Sequence, residues 1–487
     1  MNKDLFFKTF KFFKEKSKFI IYFCLIIFGV VLSKYILNSV ILYEDEIDFL
    51  VPYFIEKKYI GISNRVWEYS RFLPFQFIDY NILLLLHIPY NNTSLASINN
   101  LFFSYQVVKL WIVILLEFLI LKDICKFNKL KLNNLIFLFC FAICFCNDMM
   151  LGVLGCLRYA ELTMMLFIFL FIFAYQRYYF TKKAKYFIIS LISSVYLLYM
   201  KEVLFIPLGV ISGINFLFNK KNKCFNLLNI AIIANCILFL CLYFIFAYNS
   251  SQHYLIYKEM QFGNLNNFYF FLHKEIFITI SLILGFFVLF KMIYYCSEKI
   301  SIDKKLILYY SFLYASFFHT IAYFILNLGL SYYYIPSLVF FVPVIFYFLM
   351  NIKRKSFKLI ICLFFIYMFN HYTMFFQSNY NFNVKRIERT KAFNFEVYKS
   401  KNVYIFNPSH WNERIFNKII FCLKLINQNV KWYTDEKLTK DDLIISPDGD
   451  WENLYKKFKD RIECVEEFNS TLFFDSIRAF KITKSDI

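Results

Sequence analysis

The sequence predicts an α-helical polytopic membrane protein of about eleven transmembrane helices, followed by a small extracytoplasmic α/β domain. Three observations predict this. Of 487 residues, 60% are hydrophobic and 23% aromatic against 18% charged, more apolar surface than one water-soluble core can hide. Apolar runs recur from residue 19 to about 376, most near the roughly 20 residues that cross a hydrocarbon core. Residues 377–487 then change character, with 19 basic and 16 acidic side chains among short alternating segments.

The spans, in order, are 19–42, 101–121, 134–148, 157–176, 186–200, 203–218, 225–247, 276–293, 306–327, 331–350 and 357–376. The run from Ile82 to Tyr90 is too short to cross and reads as interfacial or re-entrant. The first span has a basic flank, but it contains Lys34 and lacks a small-residue cleavage site, so it is an anchor rather than a removed signal. Mid-span charge is limited to Lys34, Lys109 and Glu117.

Alternate loops differ sharply in charge. One set, beginning with the N-terminus, carries 25 Lys and Arg against five acids; the other carries eight basic and twelve acidic residues. Cytoplasmic loops retain Lys and Arg, so the N-terminus is cytoplasmic and the C-terminal segment extracytoplasmic, in a multi-pass protein of the inner (plasma) membrane. The net charge of +20 is thereby a topological signal that requires no nucleic acid.

In the tail, Val403 to Phe406, Val430 to Tyr433 and Leu443 to Ile445 read as strands, with helices at Asn412 to Asn427 and Trp451 to Phe458. The Asp448-Gly449-Asp450 phrase is better read as a turn after Pro447 than as a metal and nucleotide-sugar motif.

The acid-rich loops hold the candidate chemistry. Directly after the first span, Glu44, Asp45, Glu46 and Asp48 set four carboxylates within five residues, a costly arrangement unless a proton, cation or metal is near. The same loop places Arg65 and Arg71 among aromatics, as suits a phosphate-bearing amphiphile. Asp148, Arg158, Glu161, Lys201 and Glu202 lie at the ends of later spans on this side, and Tyr333 sits in the Tyr332 to Pro336 segment that opens the tenth span. His87 and His319 read as packed or interfacial.

This layout resembles the integral-membrane glycosyltransferases of the GT-C fold, the group that includes protein mannosyltransferases and lipid A aminoarabinose transferases. The resemblance rests on Asp45-Glu46 after the first span, Asp148 near the second acid-rich loop, the aromatic-Pro segment and a C-terminal outside domain. It implies transfer of a sugar from a polyprenyl-phosphate donor, with inversion, to a glycan, lipid or protein acceptor. No Gly-rich phosphate loop is present and the basic loops are small, so the donor should arrive within the membrane. Asp45 would then be the base, oriented by Glu46 or Asp48, and a divalent metal at these three carboxylates stays open. Arg65, Arg71, Arg158 and Lys201 would face the donor phosphate, with Asp148, Glu161, Glu202 and Tyr333 lining the substrate site. Two alternatives are a polymerase or ligase acting on pyrophosphate-linked glycans and a non-enzymatic lipid or solute transporter.

Overall fold

The computed structural model describes residues 22–39, 75, 78–87, 95–145, 150, 153–154, 161–219, 222–245, 276–298, 303–325, 331–352, 377–378, 380–407, 417, 419–420, 423–447, 450–470 and 474–484. It is mostly helical and multi-span, with a mixed sheet near the C-terminus. The bundle comprises α1 (Tyr22–Asn38), α2 (Ile78–His87), α3 (Leu95–Phe127), α4 (Asn134–Phe145), α5 (Glu161–Thr181), α6 (Ala184–Met200) and α7 (Phe205–Phe218). It continues through α8 (Lys223–Tyr243), α9 (Ile276–Ser297), α10 (Lys304–Ile325) and α11 (Ile335–Asn351). By length and composition, α5, α8, α9 and α10 each suffice to cross a membrane, and α1, α4, α6, α7 and α11 contribute shorter apolar stretches. Ten of the eleven expected spans thus contain a helix. The eleventh, 357–376, lies outside the described residues.

The short run before α3 forms α2, a helix of 10 residues, which rises about 15 Å and so covers only half of a hydrocarbon core. By contrast α3 has 33 residues, about 50 Å of helix. It packs on α5, which packs on α6, while α10 lies between α7 and α11. Two glycines mark close crossings. A Cβ on Gly29 would stand 2.5 Å from the Trp111 ring, and one on Gly285 2.5 Å from Phe317. At the basic end Arg177 grips Asp123 with two nitrogens, donates to the Tyr186 hydroxyl at 2.7 Å and lies over the Phe173 ring at 4.1 Å. That clamp ties α3, α5 and α6 together.

In the tail, a helix over 380–399 (α12) leads to β1 (Val403–Ile405), β2 (Val430–Trp432), β3 (Leu443–Pro447), α13 (Trp451–Phe458), β4 (Ile462–Ser470) and β5 (Phe474–Ile482). The sheet order is β2-β1-β3-β5-β4, with β1 parallel to β2 and β3, and β5 antiparallel to β3 and β4. Alternation along the strands separates two apolar faces. Val403, Ile405, Leu443, Ile445 and Ala479 share a core with Phe393 and Val397 of α12. Tyr404, Phe406, Ile444 and Phe480 pack with Leu454 and Phe458 of α13.

The three expected strands and the helix at 451 are present. Positions 417, 419–420 and 423–424 are helical, within the expected 412–427 helix, whose other residues up to 422 lie outside the described set. The β4–β5 hairpin and α12 are additions that the sequence reading did not foresee.

Candidate functional site

The helix ends that join the acid-rich loops carry a layer of buried polar groups. Glu161 occupies the first turn of α5 and Lys201 is the C-cap of α6. Each thus sits where the helix dipole favours its charge, an anion at the positive end and a cation at the negative end. The ammonium of Lys201 donates to the Glu161 carboxylate at 2.7 Å, with side-chain exposures of 11% and 6%. On its other side lies the Tyr333 ring, 4.6 Å from the ammonium. Tyr333 belongs to a 3-10 turn, Ser331–Tyr334, that opens α11, where Pro336 falls in the first turn, a position that needs no donor N–H. Glu202 begins the 3-10 turn Glu202–Leu204 between α6 and α7.

A second cluster lies alongside, sharing α5. Asp79 of α2 accepts from the Tyr105 hydroxyl at 2.9 Å and from Lys109 at 3.1 Å, both on α3, and from Thr163 on α5. Lys109 also reaches the Thr163 hydroxyl at 2.9 Å. The start of α2 is held further by Phe75, whose N–H donates to the Tyr199 carbonyl at 3.2 Å and whose ring stacks on Tyr196 at 4.7 Å.

Lys109, expected as a mid-span charge, lies 18 residues before the end of α3 and 14 after its start, close to the middle of the helix, and is tied to Asp79. Glu117, about two turns further along α3, is fully buried. Lys34 is exposed one turn before the acid-rich end of α1, where its stem lets the ammonium reach the interface.

Of the residues singled out from sequence, Glu161, Lys201 and Tyr333 are brought together, with Glu202 adjacent in the chain. Asp45, Glu46, Asp48, Arg65, Arg71, Asp148 and Arg158 lie outside the described residues. Sequence reading missed Asp79, whose partners come 26 to 84 positions later, too far for any local pattern. Of the two readings of His319, packed or interfacial, the first holds. Its ring is fully buried, with Nδ1 2.8 Å from the Ser337 hydroxyl. Among the described residues, no group of three or more His, Cys, Asp or Glu is placed to hold a metal.

Chemically, this is a low-polarity setting with two placed ammonium groups and two carboxylates. A cation already fixed by a carboxylate and a ring needs little reorganisation when an anionic group arrives.

Fold and site together describe a multi-span helical membrane protein with a charged layer at one end and a mixed-sheet tail. No family model matches the chain, and no curated protein matches it. Among solved structures it is similar to ArnT from Cupriavidus metallidurans, in a crystal structure bound to undecaprenyl phosphate. That similarity has 8% sequence identity and a TM-score of 0.48, over 94% of this chain and 97% of that one.

Proposed function

We propose that this protein is a membrane glycosyltransferase that moves a sugar from a polyprenyl-phosphate donor to an envelope glycan, lipid or protein on the extracytoplasmic side. The observation that carries the reading is the half-buried Lys201, set between Glu161 and Tyr333 at the end of the bundle that joins the acid-rich loops. A lipid-linked phosphate has its charge at that depth and its isoprenoid among the helices. Lys201 faces the donor phosphate, with Arg65, Arg71 and Arg158 as further cations. Glu161 and Tyr333 hold Lys201, and Asp148 and Glu202 complete the lining.

In the reaction the acceptor hydroxyl oxygen bonds to the anomeric carbon as the bond from that carbon to the phosphate oxygen breaks. The electron pair leaves with the phosphate, and the hydroxyl proton passes to the Asp45 carboxylate. Attack opposite the leaving group inverts the anomeric centre. Glu46 or Asp48 orients Asp45, as a carboxylate in an acidic cluster suits a base.

The test uses full-length protein in lipid nanodiscs. Lys201→Gln should weaken polyprenyl-phosphate binding about tenfold or more, as for loss of a charged hydrogen bond. Asp45→Asn should keep that binding and lower sugar transfer by roughly 10²–10⁴-fold. Unchanged binding in the first variant, or near-normal transfer by the second, would sink the corresponding assignment.

A further inference from the structure

His319 is a costly residue for its place. It is fully buried, and either tautomer leaves Nε2 without a hydrogen-bond partner among the described residues. An unsatisfied buried polar atom generally lowers stability, whereas an apolar ring of similar shape would not. Packing alone therefore does not explain an imidazole here.

Its contacts do suggest a reason. Nδ1 is 2.8 Å from the Ser337 hydroxyl, which also lies 2.9 Å from the Thr320 hydroxyl, so the ring is tethered where α10 meets α11. The imidazole meets Tyr323 edge-on, with centroids 4.8 Å apart at 73°. Tyr323, itself 2% exposed, stacks on Tyr333 at 5.2 Å and 18°. Tyr333 in turn lies under the Lys201 ammonium. An unbroken series of ring contacts thus runs from the Ser337 tether to the cation.

We propose that His319 is a positioning residue for Lys201, acting through Tyr323 and Tyr333. It fixes the tilt of the stacked tyrosines, and the Tyr333 face then fixes where the ammonium meets the donor phosphate. The inference rests on the proposed use of a lipid-linked phosphate at Lys201. It adds that the placement of the cation depends on a tether two rings away, between helices that contribute no charge of their own to the site.

The test titrates full-length protein in nanodiscs with a polyprenyl phosphate and, separately, with the matching polyprenol. His319→Phe keeps a ring against Tyr323 but loses the tether, and Ser337→Ala removes the tether from the other side. Each should weaken phosphate-lipid binding roughly tenfold, the scale of one misplaced charged contact. Binding of the polyprenol should stay level in both, while the thermal midpoint should stay level or rise for His319→Phe and fall for Ser337→Ala, which leaves both buried ring nitrogens unpaired among the described residues. The double variant should bind no worse than either single one, because both changes cut the same link. Wild-type affinity in both single variants, or an equal loss for polyprenol and polyprenyl phosphate, would overturn the positioning role while leaving the phosphate site standing. A wild-type protein that binds the two lipids equally would overturn the phosphate site and this inference together.

Discussion

At the residue scale, buried charge is tolerated only where its partner is built in. Lys109 and Asp79 have side-chain exposures of 7% and 18% and lie 3.1 Å apart. Lys109→Met should strand the Asp79 carboxylate with only the Tyr105 and Thr163 hydroxyls, lowering stability by about 3–5 kcal/mol. Changing both, as Asp79→Leu with Lys109→Met, should recover most of the loss, because two apolar groups replace a desolvated pair. Thermal midpoints of the three variants decide it; a double variant as unstable as the single would mean the pair holds α2 by more than charge neutralisation. At the other end of the bundle, Lys182 turns the chain between α5 and α6 with φ 57. Its ammonium lies 4.8 to 5.6 Å from the rings of Phe225, Tyr179 and Tyr178. Lys182 is exposed at this turn, but the rings that cover one side of its ammonium displace water there and pull its amine down to about 8. Because the folded value is lowered, the cost of the charged form is fully present below pH 8. It is relieved as pH rises from 8 toward the ordinary lysine value of about 10.4. Acylation of Lys182 followed by mass spectrometry should accordingly reach half its maximal rate near pH 8; a midpoint near 10 would contradict the burial argument.

At the element scale, the bundle is set by close crossings between apolar helices. Ser33 donates to the Gly29 carbonyl at 2.7 Å and accepts from the Trp111 indole at 3.1 Å, so α1 and α3 are joined where Gly29 leaves room for the ring. Gly29→Ala adds a methyl into the Trp111 ring; overpacking of this kind costs about 1–3 kcal/mol, against roughly 1 kcal/mol gained in helix propensity. A net loss of stability, reversed when Trp111→Leu is added, is expected in thermal unfolding. Stability that rises in Gly29→Ala alone would mean the ring moves aside freely. Elements of this kind were legible in the sequence because span-length apolar runs have few alternatives. The β4–β5 hairpin was not, since its pairing slips between Cys464 and Glu466 and again between Phe468 and Ser470. A bulge breaks the period-2 alternation by which a strand is recognised. The site was half legible for a similar reason. Glu161 and Lys201 stand out as charges at span ends, but their pairing across 40 positions and the His319 relay exist only once the helices are packed.

At the scale of the whole molecule, the ends of the bundle are distinguished by what they touch. Tyr22 meets Phe118 at 5.5 Å, while Tyr35, near the other end of α1, meets Tyr380 at 5.4 Å. Since α1 and α3 run antiparallel, Tyr35 lies at the acid-rich end, and so does the start of α12. Yet α11 opens beside Lys201 at that same end and finishes at Asn351 at the basic one. Ile352 and the start of α12 thus lie at opposite ends of the bundle. Which end faces the cytoplasm is expected from the charge distribution alone, because cytoplasmic loops generally retain Lys and Arg. Two native thiols can test the result: Cys224, exposed in the first turn of α8, belongs to the basic end, and Cys464, exposed on β4, to the tail. In variants keeping one cysteine each, a membrane-impermeant maleimide applied to intact cells with a permeable envelope should label Cys464 at once and Cys224 only after the inner membrane is opened. The reverse pattern would put the acid-rich end in the cytoplasm, where a soluble nucleotide sugar could reach it and a lipid-linked donor would no longer be needed.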